Sequence, residues 1–359
     1  MTVGPRTSFA GGGAPPYTPL TMTGRERILS AIRGEPVDSL PHIPISMMIA
    51  ADCIGEPYGT YAEDAEVHAR GQAEFAARWD VDHVSAISDP ATEAADLGAR
   101  IVTWPDQPPA IDEEHALLSR KETLLTLKSV DPGAGKRMGK RLEVIRRLKE
   151  QVGKEKLIEG WVEGPMAESA DLRGINTIMM DLIDDPGFVR DLIAFVFENA
   201  MRFARAQVRA GADIIGVGDA ASSLVGPDLF RDLVQDWEKK YVDGIHAMGA
   251  LVRLHICGNT NAIFPFLADV KADIVDLDSM AMVAGAREKM GKDRLLSGNI
   301  DPVRVLQNGT PAEVTAALAR CFDDAGGARY AVNAGCEIPR RTPPENLRAM
   351  KEFARGHRE

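Results

Sequence analysis

Short apolar stretches recur along the chain from residue 42 onward, and amphipathic stretches separate them. The apolar residues between Asp228 and Ile245 fall on one helical face, as do those between Asp184 and Gln207. The short stretches often end in Gly, Asp or Asn, which is typical of buried parallel strands. Eight such strands are predicted: His42–Ile49, Val81–Asp89, Leu157–Gly164, Asp213–Asp219, Leu251–Cys257, Asp273–Asp278, Arg294–Asn299 and Arg329–Cys336.

Eight strand–helix units are the number in a (β/α)8 TIM barrel, so an α/β barrel is the predicted fold. A doubly wound open sheet is the alternative, but no Gly-x-Gly-x-x-Gly or Walker sequence follows the first strand. We expect residues 23–359 to form one domain, whose first helix begins at a capping box of Thr23 and Glu26. Residues 1–22, rich in Gly and Pro, are predicted to be a mobile arm. Pro105–Asp131 is irregular and is either a two-strand excursion or a long loop.

Charge and composition exclude several classes of partner. The net charge is -11, with 42 basic and 53 acidic residues, which argues against nonspecific binding to nucleic acid or to an anionic membrane. No apolar run approaches the length of roughly 20 residues that a membrane span requires. Four cysteines in 359 residues do not suggest a disulfide scaffold. The first residues lack the sustained apolar stretch of a secretory signal. We therefore expect a reducing, cytoplasmic setting in which thiolates are available to metal.

Polar side chains stand at the ends of seven of the eight predicted strands. In a barrel these ends meet at one mouth, where catalytic groups collect. The candidates are Asp89, Glu163, Asp219, His255, Cys257, Asp278, Asn299 and Cys336.

A metal site is the main chemical hypothesis. His255 and Cys257 are two residues apart on one strand, so their side chains share a face. Cys336 ends the eighth strand, across the mouth. One imidazole and two thiolates suit zinc. Asp278 could hold the fourth position weakly and yield it to a substrate, which is the arrangement of catalytic rather than structural zinc.

Structural explanations compete with these assignments. His-x-Cys alone is a weak pattern, and a free cysteine is often a small buried hydrophobe. Asp89 and Asp219 could cap the helices that follow their strands. Asn299 could serve either the backbone or a substrate. For Glu163 a functional role is favoured, because a buried carboxylate at the end of a strand needs a partner or a role.

At three of these segments the chain resembles the uroporphyrinogen decarboxylase superfamily, and more closely its zinc-dependent corrinoid methyltransferases. The segments are Leu254-His-Ile-Cys-Gly-Asn-Thr, Ser297-Gly-Asn-Ile-Asp-Pro and Asn333-Ala-Gly-Cys-Glu-Ile-Pro, followed by Thr342-Pro-Pro-Glu-Asn. That branch includes methylcobamide:coenzyme M methyltransferases and the methyltransferases of chloromethane use and O-demethylation. The resemblance implies zinc on His255, Cys257 and Cys336, with an acidic fourth ligand near Asp278.

The chain departs from the decarboxylase itself. The decarboxylase binds a polyanionic tetrapyrrole through an Arg-rich segment, whereas Pro41–Met48 contains no Arg. Its catalytic Asp matches Asp89, but its active-site Tyr is absent from residues 164–171, and Cys336 replaces its late His. The loss of arginines argues against a substrate with several carboxylates.

The predicted function is therefore methyl transfer between a small substrate and the cobamide of a separate corrinoid protein. The sequence Asp-x-His-x-x-Gly, which marks such a corrinoid protein, is absent here. We expect Asp89, Glu163, Asp219 and Asp278 to be catalytic, and Asn299 to contact the cofactor. The substrate could be a methoxylated aromatic, a methyl halide, a methylated amine or a thiol. The alternatives are a metal-free decarboxylase that uses Asp89, and a non-catalytic barrel that binds cobamide or substrate.

Overall fold

The computed structural model describes residues 21–358 of the chain. Its strands are β1 (His83–Ser85), β2 (Ile101–Trp104), β3 (Gln107–Ile111), β4 (Leu157–Glu163), β5 (Ile214–Gly218), β6 (Leu251–Ile256), β7 (Ile274–Leu277), β8 (Leu295–Ser297) and β9 (Tyr330–Ala331). Strands β2 and β3 form an antiparallel hairpin. The other seven form one parallel sheet in chain order.

Helices follow nearly every strand. They are α1 (Gly24–Arg33), α2 (Met48–Cys53), α3 (Tyr58–Glu63), α4 (Ala65–Trp79), α5 (Thr92–Leu97), α6 (Lys136–Val152), α7 (Pro165–Arg173), α8 (Ile175–Asp184), α9 (Pro186–Ala210), α10 (Pro227–Leu229), α11 (Gln235–His246), α12 (Phe264–Leu267), α13 (Val283–Met290), α14 (Pro311–Asp324) and α15 (Pro344–Gly356). Single 3-10 turns occupy Glu113–His115, Lys121–Leu125, Ala220–Leu224 and Asn261–Ile263, and π-helical segments occupy Phe230–Val234 and Pro302–Gln307.

An extended segment closes the sheet into a barrel. The amide of Ile43 donates to Val332 O (3.0 Å) after β9, and the amide of Asp82 donates to His42 O (2.8 Å) before β1. The predicted TIM-barrel fold is therefore confirmed, with one correction. The predicted strand His42–Ile49 contributes only a bridge between His42 and Val332, and α2 begins at Met48. Pro41 and Pro44 explain this difference, because proline has no amide hydrogen for a strand ladder.

The two ends of the barrel are built differently. Helix α1 covers the N-terminal ends of the strands, starting at the predicted capping box of Thr23 and Glu26. Its apolar face packs into a cluster with the first residues of several strands: Ile28, Ala31, Val37, Ile43, Leu157, Ile214, Ile274, Leu295 and Ala331. The C-terminal ends of the strands form the mouth, which is where a functional site is expected in a barrel.

The connections that leave the mouth carry extra structure. The hairpin β2–β3 begins earlier than the irregular stretch Pro105–Asp131, and the rest of that stretch is loop with two 3-10 turns. Helices α7 and α8 lie between β4 and the long helix α9. Within residues 21–358, no helix has both the length and the apolar character to cross a membrane.

The predicted mobile arm, residues 1–22, lies almost entirely outside the described residues. Thr21 and Met22 are described, and their amides donate to the carboxylate of Asp38 at 2.8 and 2.9 Å. The single-domain boundary at residue 23 remains a prediction.

Candidate metal centre

Three side chains that are far apart in the sequence meet at the mouth. His255 Nε2 lies 3.1 Å from Cys257 Sγ, and the Sγ atoms of Cys257 and Cys336 are 3.9 Å apart. All three ligand atoms lie within 4.8 Å of one another. Among residues 21–358, no other group of three His, Cys, Asp or Glu side chains is brought this close. The sequence prediction of this convergence is matched by the geometry.

The donor set and spacing fit zinc. Two thiolates on a tetrahedral zinc with Zn–S bonds of about 2.3 Å stand about 3.8 Å apart, close to the observed 3.9 Å. His255 is buried, whereas both cysteines are partly exposed. The three groups therefore form a site that is anchored in the barrel and reachable from solvent.

Strand β6 presents two of the three candidate ligands, His255 and Cys257, because its polar residues alternate. Arg253, His255 and Cys257 share one side, and Leu254 and Ile256 on the other side are buried in the apolar core. The parallel register pairs His255 with Asp276 of β7.

Asp276 holds the imidazole of His255 in place. Its Oδ2 lies 3.2 Å from His255 Nδ1 and 2.7 Å from Arg253 Nη2. Its Oδ1 accepts a hydrogen bond from Asn333 Nδ2 (2.7 Å). A carboxylate at Nδ1 fixes the tautomer that leaves the Nε2 lone pair for a metal, as is usual around metal-bound histidines.

Buried charged residues inside the barrel, next to Asp276, support its contact with His255. Arg253 Nη1 lies 3.4 Å from Glu159 Oε1, and Glu159 Oε2 lies 3.5 Å from His83 Nε2. Burial opposes the charge on Arg253, but Asp276 and Glu159 outweigh burial and raise its pKa. The pKa of Asp276 is lowered despite burial, chiefly by Arg253 and then by His255. Asp276 is thus held as a carboxylate.

Without metal, the three ligands share protons unequally. Hydrogen bonding from Cys257 is the main cause that lowers the pKa of Cys336 to about 4. Burial opposes the charge on His255, but Asp276 and Cys336 raise its pKa to about 10. The hydrogen bond to Cys336 raises the pKa of Cys257. These shifts favour a thiolate on Cys336 beside a protonated imidazole of His255, and metal binding would release the protons of His255 and Cys257.

Asp278 lies next to the three ligands in the fold but outside their cluster. Its Oδ1 accepts hydrogen bonds from the amide of Met280 (2.9 Å) and from Ser279 Oγ (3.3 Å). Asn299 Nδ2 donates to the carbonyls of Asp278 (2.8 Å) and Ala281 (2.6 Å). Asn299 therefore fixes the loop that carries Asp278. Its role as a cofactor contact remains a prediction.

Asp89 and Asp219 have partners within the fold. Asp89 is paired with Arg137 at 2.5 Å and accepts a hydrogen bond from Ser88 (2.6 Å). Asp219 Oδ1 accepts the amides of Met166 (2.9 Å) and Ala167 (2.6 Å), the first turn of α7. Asp219 therefore does cap a helix, as the structural alternative expects. The capped helix is α7, which follows β4, rather than the helix that follows Asp219 along the chain. The catalytic roles of both residues remain predictions.

Glu163 belongs to a buried carboxyl cluster behind the mouth, defined as Glu93, Glu163, Glu168, Asp171, Asp219 and Glu238. Glu93 accepts the amide of Glu163 (2.7 Å), and Trp161 Nε1 donates to Glu163 (3.0 Å). Burial is the largest cause that raises the pKa of Glu93 and of Asp171, each to about 8. Burial and neighbouring carboxyls also raise the pKa of Glu163 and Glu168. The cluster therefore retains protons at neutral pH.

Sequence reasoning missed several of these residues. Asp276 shares a face with Asp278, and Arg253 shares its face with His255, but neither is among the predicted site residues. Alternation of polar residues on the inner side of β6 and β7 was the signal that could have found them. Glu93 and Glu168 lie on helices among small apolar residues, and no local pattern marks them.

The comparisons identify the family of the chain. The family model for uroporphyrinogen decarboxylase (URO-D) matches residues 23–357, and the chain belongs to this family. The methylcobamide:CoM methyltransferase MtbA of Methanosarcina acetivorans is 29% identical over 350 residues, covering 95% of this chain and 99% of that protein. The methylcobamide:CoM methyltransferase MtaA of Methanosarcina barkeri is 26% identical over 345 residues, covering 92% and 96%.

A solved structure agrees with the fold. A methyltransferase from Methanosarcina mazei superposes with a TM-score of 0.80 at 23% sequence identity, covering 93% of this chain and 98% of the other. At this identity the likeness supports the barrel fold alone. The expected resemblance to the uroporphyrinogen decarboxylase superfamily and its methylcobamide methyltransferases is confirmed by the sequence matches.

Proposed function

We propose that this protein is a zinc-dependent methyltransferase. It would move a methyl group between a small substrate and the cobamide of a separate corrinoid protein. The convergence of His255, Cys257 and Cys336 is the observation that carries this proposal. The methylcobamide:CoM methyltransferases that match the chain over nearly their whole length support the same reaction class.

The three ligands would create a neutral, reactive site. Two thiolates and one neutral imidazole balance the charge of a divalent ion and leave one position for the substrate. Zinc, when bound there, supplies Lewis acidity that favours the ionised form of a thiol or other heteroatom. Asp276 keeps a proton on Nδ1 of His255, so that Nε2 faces the two sulfur atoms. Asp278 is proposed as an exchangeable ligand. To reach the metal, its side chain would rotate and give up the hydrogen bond from the amide of Met280.

Atoms and electrons are conserved in the transfer if the methyl group moves as a formal methyl cation. A bond forms between the heteroatom lone pair and the methyl carbon, and the carbon–cobalt bond breaks with its electron pair on cobalt. The heteroatom proton is lost on ionisation. The reverse direction transfers the methyl group from substrate to cobamide. Coenzyme M is a thiol, so the similarity to methylcobamide:CoM methyltransferases favours a thiol acceptor among the four substrate classes.

The proposal is tested by removing one ligand. Cys336→Ala should lose both zinc and methyl transfer while the barrel stays folded, because one thiolate of the ligand set is gone. Zinc per chain is measured by elemental analysis, and transfer is measured from the cobalt absorption bands of methylcobalamin with a panel of thiols. We expect about one zinc per chain in the wild type.

Cys53→Ala is the matched control, since Cys53 lies at the end of α2 and outside the ligand cluster. This variant should keep zinc and activity. Retention of zinc and of full methyl transfer by Cys336→Ala would show that the proposed site is wrong.

The metal-free decarboxylase alternative depends on Asp89. That carboxylate is fully buried and already paired with Arg137, which accounts for its burial without a substrate. Turnover of a carboxylated substrate by metal-free protein would favour this alternative. Tight binding of a corrinoid protein without any methyl exchange would favour a non-catalytic barrel.

A further inference from the structure

The exposed large apolar residues of the described chain all lie on the mouth side of the barrel. Each stands on a segment that follows a parallel strand and precedes the helix running back along the sheet. They are Val102, Trp104, Leu125, Met180, Ile183, Leu224, Met280, Met282 and Val303. Within residues 21–358, helix α1 and the long helices α4, α6, α9, α11, α14 and α15 expose none. Single exposed apolar residues are normally scattered over the whole surface of a protein. Their concentration on one side therefore indicates a face for interaction.

Three of these residues adjoin the metal-ligand loops. Leu224, Met280 and Met282 are 63%, 61% and 62% exposed and are called the apolar rim. Asn261 connects two of them to the loop after β6, because its Nδ2 donates to Met280 O (3.1 Å) and its Oδ1 accepts the amide of Met282 (2.8 Å).

Leu224 reaches the same loop from the other side. It follows Ser223, whose Oγ lies 2.9 Å from the position that a Cβ at Gly258 would occupy. Gly258 directly follows Cys257, so the connections after β5 and β7 meet beside a proposed ligand. The apolar rim is therefore continuous with the candidate metal centre.

We propose that the apolar rim is the docking surface for the corrinoid protein, an inference that rests on the proposed function. The given sequence contains no Asp-x-His-x-x-Gly signature, and in the proposed function the cobamide is carried by a separate corrinoid protein. Methyl transfer requires contact between the methyl carbon and the substrate heteroatom at the ligand cluster. The carrier must therefore cover the mouth, and its surface must meet the rim.

The chemistry of the rim suits this partner. A small substrate would contact residues that line the pocket and would not require methionines that point into solvent. Unbranched methionine side chains adapt to a partner surface. Apolar contacts also allow a protein of net charge -11 to dock a partner without a complementary charge.

The test compares two carriers of the same methyl group. The double variant Leu224→Glu/Met282→Glu is assayed with a Methanosarcina corrinoid protein loaded with methylcobalamin, and with free methylcobalamin as internal reference. We expect the KM for the corrinoid protein to rise about tenfold or more, because two carboxylates are placed in an apolar contact. Zinc content and melting temperature should not change. The control Ala312→Glu/Ala316→Glu adds the same charges to the exposed outer face of α14.

Each outcome is decisive. An unchanged KM for the corrinoid protein in the rim variant, or an equal rise in the α14 control, would overturn the docking proposal. So would a wild-type dimer that the rim variant converts to monomer, because the occupant would then be a second copy of the chain. If the wild type leaves the cobalt bands of free methylcobalamin unchanged with every thiol, the proposed function fails instead.

Discussion

At the scale of single residues, the candidate centre depends on side chains that do not themselves reach a metal. Asp276 is buried, and its two oxygens are shared among His255, Arg253 and Asn333. Each partner restricts the carboxylate in a different direction. The imidazole of His255 is therefore positioned before any ion binds, which lowers the entropy lost on binding.

Asp276→Asn is expected to weaken zinc binding by about 10- to 100-fold, the usual loss when a partner of a metal-bound histidine is removed. The amide can still accept a hydrogen bond, but it no longer balances Arg253 or strengthens the imidazole donor. Affinity is measured by competition with a chromogenic chelator, which does not depend on turnover.

Asp82→Asn is the matched control for Asp276→Asn. Asp82 is also a buried aspartate with two arginine partners, Arg27 and Arg355, but it lies at the other end of the barrel. This control should lower stability and leave zinc affinity unchanged. Equal affinities in Asp276→Asn and wild type would exclude the positioning role.

The sequence was sufficient to predict that His255, Cys257 and Cys336 converge, but not the residues that support them. His255, Cys257 and Cys336 are found by parity and strand ends, which are local properties. Alternation places Asp276 and Arg253 on the inner face of their strands, but their contacts with each other and with His255 depend on the register between β6 and β7, which the sequence of one strand does not contain. Barrel interiors are usually apolar, so a charged layer there was not expected.

At the scale of elements, the carboxyl cluster joins α5, β4, α7 and α11 behind the mouth. No lysine or arginine is among the causes that shift the pKa values of Glu93, Glu163, Glu168 or Glu238. Both carboxyl oxygens of Glu168 are buried without a hydrogen-bond partner in the protein. The packing of these elements therefore depends on protonated carboxyl groups.

The cluster predicts that stability falls as the pH rises. The folded pKa of Glu93, about 8, lies above its ordinary value of 4.5. Its contribution is therefore complete below pH 4.5 and is lost as the pH rises through 8. Glu93→Gln keeps an acceptor for the amide of Glu163 and removes the charge, so its melting temperature should fall less between pH 5 and 9. Calorimetry of both proteins across that range measures this difference.

Glu352→Gln, on the exposed side of α15, provides the control for Glu93→Gln. Its melting temperature should depend on pH in the same way as that of the wild type. Parallel pH curves for Glu93→Gln and wild type would mean that Glu93 is already ionised in the folded protein.

The order of elements was largely predictable, and the exceptions have physical causes. Seven of eight predicted strands contain an observed strand, because buried parallel strands have a continuous apolar pattern. The first fails because Pro41 and Pro44 interrupt its ladder. The hairpin β2–β3 is largely exposed and lacks that pattern. The helices α7 and α8 depend on contacts with the long α9, which are not local.

At the scale of the whole molecule, the last helix fastens the barrel where it closes. Arg355 of α15 pairs with Asp80 (2.7 Å) and Asp82 (2.8 Å), just before β1. Arg27 of α1 pairs with Asp82 from the other side at 2.5 Å. The amide of Leu40 donates to Ala354 O (3.2 Å). The first and last helices of the described residues, α1 and α15, are thus joined at the N-terminal end of the barrel, opposite the mouth.

This arrangement predicts loss of stability in acid. Burial opposes ionisation of Asp80, but Arg355 lowers its pKa to about 2, below the ordinary 3.8. A lowered pKa in the folded state means that the pair stabilises the protein above pH 3.8 and that this contribution is lost as the pH falls toward 2. Asp80→Asn should therefore lose less stability between pH 5 and 2.5 than the wild type. Asparagine also tolerates the left-handed conformation at this position, where φ is 52°.

Arg355→Met gives the complementary result at neutral pH. Removing the guanidinium leaves Asp82 buried with the ion pair to Arg27 but without its second arginine, which should cost about 1–3 kcal/mol of unfolding free energy. Urea unfolding at pH 7 measures this loss, and zinc content should persist because the ligands lie at the opposite end. The exposed pair of Arg33 and Glu35 supplies the comparison, since Arg33→Met should change stability by less than about 1 kcal/mol. A loss equally small in Arg355→Met would show that the C-terminal helix contributes no more to closing the barrel than a surface ion pair does.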